Sequence, residues 1–397
     1  MCNAGATLAE AGSMGARITG SDCANKPIAP SAAADKLPPR RMCTWTQCYT
    51  NLLLVVLPSA GRWFLASGIQ NSDGGVARYY LNAERRPLPV STEITGYAAS
   101  TFAYLYQRTG ETAYLDRARL AAQFLVERAW NPALETFPFE LGEGAPGYFF
   151  DCGIVVRGLL AVWRLTRDDR RLHDIALAAA RSMARDYLTP TAIHPIISLP
   201  SREPMPYAKR WSREPGCFLL KSALAWRDLG LEDFWQQAFA QARANDPGFL
   251  PGSEDRCVVM DRLHAYSYYM EALLAERSTL LVSAIPRTAR YLRDIAPDFA
   301  RSDVYAQLLR VRLYAGAFGI VPLDRTAADE EAAAIAAFQY STPGEPALDG
   351  GFCFGRRAGA LLPYVNPVST GFCLQALDMW ERHQAGELGQ PSLSGLI

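Results

Sequence analysis

The chain has 397 residues, and its 40 Lys and Arg residues balance its 40 Asp and Glu residues. A hydrophobic fraction of 49% is typical of a globular protein with a large core. Neutral charge without a Lys/Arg-rich run argues against a nucleic-acid-binding protein, because such proteins contact phosphates through a basic surface. The apolar run from Leu52 to Leu57 is much shorter than the roughly 20 residues that span a bilayer, so no membrane insertion is expected.

The first 41 residues differ in composition from the rest of the chain. They are rich in Ala, Gly, Ser and Pro and contain few large apolar side chains, which predicts a disordered tail. A secretory signal has a basic stretch followed by an apolar stretch, and these 41 residues show no such pattern. We therefore expect a cytoplasmic location. Nine cysteines in 397 residues are too sparse for a disulfide scaffold, and no C-x-x-C pair indicates a zinc site or a redox pair.

Residues 42–390 alternate helical segments with turns and are predicted to form one all-α domain. Apolar residues recur at i, i+3, i+4 and i+7 from Glu93 to Gln107, and the same pattern returns after a turn from Tyr114 to Leu125. Counting this pair of helices, the alternation predicts five helical hairpins. One helix near Trp45 to Phe64 and another over Pro367 to His383 would form a sixth hairpin and close a ring.

The two helices of each predicted hairpin differ in character. The first is apolar over much of its circumference and the second carries a charged face, which places the first set inside the ring and the second outside. Turns within hairpins are short, whereas connections between hairpins are long, as in Thr189 to Gly216 and Asn245 to Met260. The long loops therefore define the rim on which we expect the functional residues.

The two ends of the predicted ring carry a repeated motif. Asp73-Gly74-Gly75 precedes Pro89-Val90-Ser91-Thr92, and Asp349-Gly350-Gly351 precedes Pro367-Val368-Ser369-Thr370 at almost the same separation. Each Asp-Gly-Gly predicts a tight turn, and the Ser/Thr pair predicts the N-cap of an inner helix. Turn and cap chemistry alone is an equally good account of the motif.

Six inner and six outer helices, the turn Gln70 to Gly75 and the aromatic-rich loops resemble the six-hairpin (α/α)6 toroids. These include unsaturated-glucuronyl hydrolases, N-acylglucosamine 2-epimerases, glucuronyl C5-epimerases and several polysaccharide lyases. The resemblance covers about residues 45–383. It implies a carbohydrate-active enzyme that treats an acidic, uronate-containing glycan by hydrolysis, β-elimination or epimerisation.

Two other readings stay open. The Gln-x-x-Asp-Gly-Gly turn is also similar to repeats of terpene cyclases and protein prenyltransferases, which implies an isoprenoid-handling barrel as the alternative. A non-catalytic, glycan-binding toroid is the third hypothesis. The spacing of Asp255, Cys257 and His264 does not match the zinc ligands of prenyltransferases, so we expect no metal and no cofactor.

Two carboxylates stand at the starts of neighbouring inner helices. Glu93 follows the Ser91-Thr92 cap, and Asp151 opens the next inner helix. In a toroid these helix starts converge on the central cleft, where glycoside hydrolysis needs one protonated and one ionised carboxyl group. Asp and Glu are also ordinary residues at helix starts, so a purely structural role stays open.

A third candidate is the run from Asp261 to Tyr269, which predicts the start of the fourth inner helix. Asp261 and His264 are i, i+3 neighbours, and His264 and Tyr268 are i, i+4 neighbours, so each pair shares a helix face. A His oriented by Asp is a general base near neutral pH, and Tyr can deliver a proton. This combination suits β-elimination or epimerisation beside a uronate carboxylate, although a buried core His is also open.

Arginines are concentrated on the predicted long loops, which predicts an anionic ligand because guanidinium binds carboxylate through two parallel hydrogen bonds. Aromatic residues in the same loops are predicted to stack on a sugar ring or an isoprenoid, or to belong to the core. The predicted substrate contacts are Trp63, Asp73, Arg78, Tyr97, Phe149, Arg210, Trp211, Asp261, Asp349 and Arg356.

Overall fold

The computed structural model describes residues 56–142, 144–208 and 210–397. The predicted tail 1–41 and the first part of the helix predicted near Trp45 lie outside these residues. Twelve α-helices are found within the described ranges: α1 Val56–Ala66, α2 Thr92–Thr109, α3 Thr112–Phe124, α4 Phe149–Thr166, α5 Arg170–Tyr187, α6 Leu220–Asp228, α7 Glu232–Ala244, α8 Arg256–Leu273, α9 Leu281–Ile295, α10 Ser302–Ala317, α11 Arg325–Ala336 and α12 Pro367–Gln384.

The helices form two concentric rings. The even-numbered helices α2 to α12 each contact the next even-numbered helix, and α12 contacts α2, so the inner ring is closed. Helices α3, α5, α7, α9 and α11 pack outside their inner partners, and α1 packs against α12. The predicted (α/α)6 toroid is confirmed, including the sixth hairpin formed from the two ends of the domain.

Short β-strands tie together the loops that precede the inner helices. The described residues contain eight of them: β1 Tyr80–Leu81, β2 Arg86–Pro87, β3 Gly147–Tyr148, β4 Ile196–Ile197, β5 Phe299–Arg301, β6 Gly355–Arg357, β7 Ala360–Leu361 and β8 Tyr364–Val365. They pair antiparallel in the orders β2-β1-β8, β3-β4 and β5-β6-β7. All of them lie on the rim formed by the N-termini of the inner helices, as predicted for the long loops.

The repeated Asp-Gly-Gly turns dock on outer helices. Gly74 and Gly350 have φ angles of 94° and 88°, and a Cβ atom on either would overlap a backbone carbonyl oxygen of α3 or α1. The side chain of Gln70 donates to Gly74 and to α3, and that of Gln339 donates to Gly350 and to Ser59 of α1. The repeat therefore fastens both ends of the ring in the same way.

The predicted caps are right for α2 and wrong for α12. Ser91 caps α2, but the N-cap of α12 is Asn366, whose side chain accepts from the backbone N–H groups of Val368 and Ser369. An Asn directly before Pro367 supplies the acceptor at the N-terminus, since proline is favoured in the first turn. The structural repeat thus aligns Ser91 with Asn366.

The fourth inner helix also begins earlier than predicted. Helix α8 starts at Arg256, and Asp255 caps it by accepting from the N–H groups of Cys257 and Val258. Asp261 and His264 consequently lie in the second and third turns of α8 instead of at its start.

Candidate active site

Glu93 and Asp151 occupy the first turns of two adjacent inner helices. Ser91 begins α2 by accepting from the N–H of Ile94 at 3.5 Å, which makes Glu93 the second residue of the helix. Strand β3 leads directly into α4, so that Asp151 is its third residue. The two residues are only 2% and 3% exposed. A helix N-terminus favours a nearby carboxylate, whereas burial opposes its charge.

The two carboxyl groups influence each other electrostatically. Burial and the charge of Glu93 raise the pKa of Asp151 well above its usual range, and the guanidinium of Arg78 opposes this rise. Oxygen Oδ2 of Asp151 has no hydrogen-bond partner among the described residues. The structure thus brings the two predicted carboxylates together, and the raised pKa favours the protonated form of Asp151.

His264 lies inside the ring on α8 and is fully buried. Its Nδ1 is 2.7 Å from Oε1 of Gln307 and 3.6 Å from Oδ2 of Asp303, both on α10. Burial and the positive charge of Arg301 lower the pKa of His264 to about 3. The imidazole is therefore neutral near pH 7, and its Nε2 has no hydrogen-bond partner in the described part of the chain.

Arg301 connects the acidic residues beside His264. It binds Asp303 through Nε and Nη2 at 3.0 and 2.7 Å, and its Nη1 donates to Asp261 at 2.7 Å. Its guanidinium also stacks 4.4 Å from the ring centre of Phe354. The prediction that Asp261 orients His264 is wrong, because Arg301 holds Asp261 and the carboxylate nearest His264 is Asp303.

Sequence reasoning missed Arg301, Asp303 and Gln307. A signal for them was present, because Arg301-Ser302-Asp303 stands at the start of an inner helix just as Glu93 and Asp151 do. Charged residues at the start of the fifth inner helix, examined in the same way as Glu93 and Asp151, would have indicated Arg301 and Asp303.

A layer of aromatic side chains lies between the carboxyl pair Glu93 and Asp151 and the polar cluster around His264. The hydroxyl groups of Tyr97 and Tyr268 are 3.0 Å apart. The ring of Tyr268 lies 4.6 Å from that of His264, 4.9 Å from that of Phe150 and 6.2 Å from that of Phe372. Burial and the charge of Glu93 raise the pKa of Tyr97, which keeps its phenol protonated. This layer places proton-carrying hydroxyl groups between Glu93 and His264.

A partly exposed aromatic pair lies on the rim near Asp151. Tyr148 directly precedes α4, and its ring is 4.7 Å from that of Phe139. Arg78 stacks over Phe139 at 5.2 Å and pairs with Glu140 at 2.7 Å, leaving its side chain 22% exposed. These residues present a ring surface and a guanidinium beside the carboxylate pair.

Several predicted substrate contacts are core residues instead. Trp63 is buried on the outer helix α1, where its indole donates to the carbonyl of Ala347 at 2.9 Å. Phe149 is buried against the rings of Tyr187 and Trp226. Their positions between the two helix rings remove both side chains from the cleft.

The other predicted contacts divide between turns and rim. Asp73 accepts from the N–H of Gly75 and Asp349 from that of Thr342, so both carboxylates serve their own turns. Arg356 stacks over Phe338 at 5.1 Å and donates to Ala337, away from the carboxylate pair. Of the remaining two, Trp211 is buried edge-on against Phe218, and Arg210 lies near enough to Asp261 for its charge to act on that carboxyl group.

Among residues 56–142, 144–208 and 210–397, no group of three or more His, Cys, Asp and Glu side chains could hold a metal ion. No helix in these same ranges is both long enough and apolar enough to cross a membrane.

No protein-family model matches the chain, and no curated protein is similar to it in sequence. Solved structures are similar in fold. A cellobiose 2-epimerase from Spirochaeta thermophila superposes with a TM-score of 0.64 at 13% identity, covering 85% of this chain and 98% of the epimerase. A UGL variant with dGlcA-Glc-Rha-Glc gives a TM-score of 0.56 at 16% identity, covering 87% and 98%.

A type II terpene cyclase from Scytonema is also similar, with a TM-score of 0.54 at 13% identity over 83% of this chain and 97% of the cyclase. At such identities the comparisons establish a shared fold. The chain has a six-hairpin (α/α)6 fold, which sugar epimerases and a terpene cyclase also have.

Proposed function

We propose that the protein is a carbohydrate-active enzyme that hydrolyses an acidic, uronate-containing oligosaccharide. The observation that carries this proposal is the pair of buried carboxyl groups at the inner helix starts, where burial and the charge of Glu93 favour the protonated form of Asp151. A protonated and an ionised carboxyl group side by side are the two components of glycoside hydrolysis.

In this mechanism Asp151 donates its proton to the glycosidic oxygen as the bond to the anomeric carbon breaks. Glu93 either deprotonates the attacking water or attacks the anomeric carbon itself, after which water releases the sugar. If Glu93 acts as the base, it takes the water proton, and solvent exchange returns a proton to Asp151; if Glu93 is the nucleophile, Asp151 takes the proton directly from the second-step water. Each route adds one hydroxyl group to the anomeric carbon and one proton to the leaving oxygen, so water is the only other reactant.

The residues on the rim are the evidence for a substrate sugar that carries a carboxylate group. Tyr148 and Phe139 offer a ring surface for the apolar face of a pyranose, and Arg78 offers a guanidinium near Asp151. Arg78 and its aromatic neighbours are the residues that support the proposed substrate class.

Epimerisation is the second candidate, and a separate observation favours it. The neutral His264 has an Nε2 atom without a partner among the described residues and lies 4.6 Å from the ring of Tyr268. A neutral imidazole beside a tyrosine can remove and return a proton at a carbon next to a carbonyl or carboxylate group. The resemblance in fold to a cellobiose 2-epimerase agrees with this chemistry.

The test is a panel of uronate-containing oligosaccharides, some carrying a double bond in the terminal uronate. Ultraviolet absorbance, reducing ends and product mass are followed together. Hydrolysis adds the mass of water, β-elimination creates an absorbing double bond, and epimerisation leaves the mass unchanged. We expect products with added water, and a drop in kcat of about 10²-fold or more in Asp151→Asn and Glu93→Gln.

Matched variants separate the candidates. His264→Gln should keep most of the hydrolytic activity, and Asp73→Asn, which changes a carboxylate in a turn, should keep all of it. Loss of activity in His264→Gln together with a product of unchanged mass would replace hydrolysis by epimerisation. Ligand binding without any product would identify a glycan-binding toroid instead.

A further inference from the structure

Helices α2 and α4, which carry the two carboxyl groups, cross in direct backbone contact. Gly96 lies one turn after Glu93, and a Cβ atom there would come within 2.9 Å of Cα and 3.1 Å of the backbone nitrogen of Val155. Val155 itself lies one turn after Asp151. On the other side of the crossing, a Cβ atom on Gly158 would overlap the backbone carbonyl oxygen of Gly96. No side chain therefore separates the two helices at this point.

Because Gly96 and Gly158 have no side chains at this crossing, the backbones of α2 and α4 can approach closely, and this sets the distance between the starts of the two helices. Helix axes approach to about 8–10 Å, and the residues at the contact determine the distance within this range. Glu93 and Asp151 project from the turns immediately before the crossing, so a change in axis separation is transmitted to the carboxyl groups. Glycosidases are sensitive to this spacing, which is about 5–5.5 Å in retaining and about 6.5–9.5 Å in inverting enzymes.

We propose that Gly96 and Gly158 are positioning residues that set the separation of Glu93 and Asp151 through the contact of α2 with α4. This inference deepens the proposed hydrolysis and rests on it for its catalytic meaning. Its geometric content is independent, since the spacing of the two carboxyl groups can be measured without any substrate.

Gly153 provides a matched control on the same helix. A Cβ atom there would come within 2.5 Å of Cβ of Ser222, so that Gly153→Ala places a methyl group in the crossing of α4 with α6. The variants Gly96→Ala and Gly158→Ala place the same group in the crossing of α2 with α4. All three add one methyl group at a tight helix crossing, but only Gly96→Ala and Gly158→Ala place it between α2 and α4.

The readout is the titration of Asp151, followed by carbon NMR with labelled aspartate and assigned with Asp151→Asn. Among the described residues, the charged groups that act on this carboxyl group are Glu93, which raises its pKa, and Arg78, which lowers it. Moving α2 away weakens the effect of Glu93, so Asp151 should titrate at a lower pH in Gly96→Ala and Gly158→Ala. Gly153→Ala should titrate like the wild type even if its melting temperature falls equally.

Activity gives the second readout. A displacement of about 1 Å at a reacting group can cost about a hundredfold in rate, so kcat should fall by that order in Gly96→Ala with little change in KM. An unchanged titration in folded Gly96→Ala and Gly158→Ala would overturn the inference, as would an equal shift in Gly153→Ala. If only one variant of α2–α4 folds, it decides the outcome alone.

The two proposals fail in different ways. Shifted titration in the two glycine variants, without glycan hydrolysis by the wild type, would retain the positioning role and refute the hydrolase. Glycan hydrolysis that proceeds at the wild-type rate in both folded glycine variants would retain the hydrolase and refute the positioning role.

Discussion

The buried residue His264 makes the stability of the protein sensitive to acid. The pKa of His264 is lowered to about 3 by burial and by Arg301, whereas it is 6.5 in an exposed histidine. Between these values the unfolded chain binds a proton that the folded chain does not, so stability is lost as the pH falls from about 6.5 towards about 3. The loss amounts to about 1.4 kcal/mol per unit of pKa difference, which makes several kcal/mol an upper bound.

The variant His264→Gln removes the imidazole that binds this proton in the unfolded chain. It keeps a polar group beside Gln307. Its free energy of unfolding should fall less steeply with acid than that of the wild type. Urea unfolding of both proteins between about pH 7 and about pH 4 measures the difference. Two parallel stability curves would mean that His264 becomes protonated in the folded state without penalty.

At the scale of residues, the carboxylate pair was predictable and the histidine's environment was not. Glu93 and Asp151 belong to local helix-start patterns, which are visible over three or four residues of sequence. Asp303 and Gln307 reach His264 from another helix, some forty residues along the chain. Only the closure of the ring brings them together, and helical periodicity contains no information about which faces of α8 and α10 meet.

At the scale of elements, the loops that open and close the ring depend on glycine. Gly350 combines a left-handed φ of 88° with a docking position where a Cβ atom would overlap the carbonyl oxygen of Ser59. Gly359 has a similar φ of 83°, but nothing lies within 4 Å of its Cβ position. The two positions therefore share the backbone conformation and differ in the surrounding space.

Alanine at these two glycines should separate strain from overlap. Gly359→Ala should cost about 1 kcal/mol, which is the usual penalty of a left-handed conformation for an L-residue. Gly350→Ala should cost about 2–4 kcal/mol, because the turn must also move away from α1. Thermal and urea unfolding measure both values, and equal losses would show that the turn is not packed tightly on α1.

The helices were predictable because each repeats its apolar positions over several turns. The eight strands were not, since segments of two or three residues are too short to show an alternating pattern. The capping of α12 was missed for a related reason. Ser369-Thr370 and Asn366 are all good capping residues, and only the hydrogen bonds of Asn366 decide between them.

At the scale of the whole molecule, a buried charged cluster ties the inner ring together. Glu271 on α8 accepts from Lys221 on α6 at 2.8 Å and from Arg310 on α10 at 2.5 Å. Arg310 also donates to Gln375 on α12, so that four of the inner helices share one network. All four side chains are completely buried.

The segment 391–397 completes this cluster from beyond the predicted domain boundary at residue 390. The carbonyl of Ile397 accepts from Lys221 at 3.0 Å and from Arg310 at 3.3 Å. Arg157 holds the same segment by donating to the carbonyls of Leu393 and Leu396. The last residues thus contact the inside of the ring, a contact that no local sequence pattern indicates.

The side chains of the cluster comprise two cations and one carboxylate, and Glu271 is the side chain that binds both cations. Removing one partner of a buried ion pair typically costs about 3–5 kcal/mol, because the other charge is left without compensation. In Glu271→Gln two buried cations would face each other, and we expect a loss at the upper end of this range. Lys221→Met leaves Glu271 and Arg310 as a balanced pair, so its cost should be much smaller.

Burial supplies the reason for this asymmetry, because it lowers the pKa of Lys221 to about 7. The folded state already carries the Lys221 charge at a penalty near neutral pH, and the unfolded chain keeps its proton up to a higher pH. The stability of the wild type should therefore rise as the pH increases above about 7, and this rise should be absent in Lys221→Met. Urea unfolding of the wild type and both variants at about pH 7 and about pH 9 tests both expectations. If Lys221→Met and Glu271→Gln lowered the free energy of unfolding equally, the expected asymmetry would be wrong, because the charged form of Lys221 would then stabilise the ring.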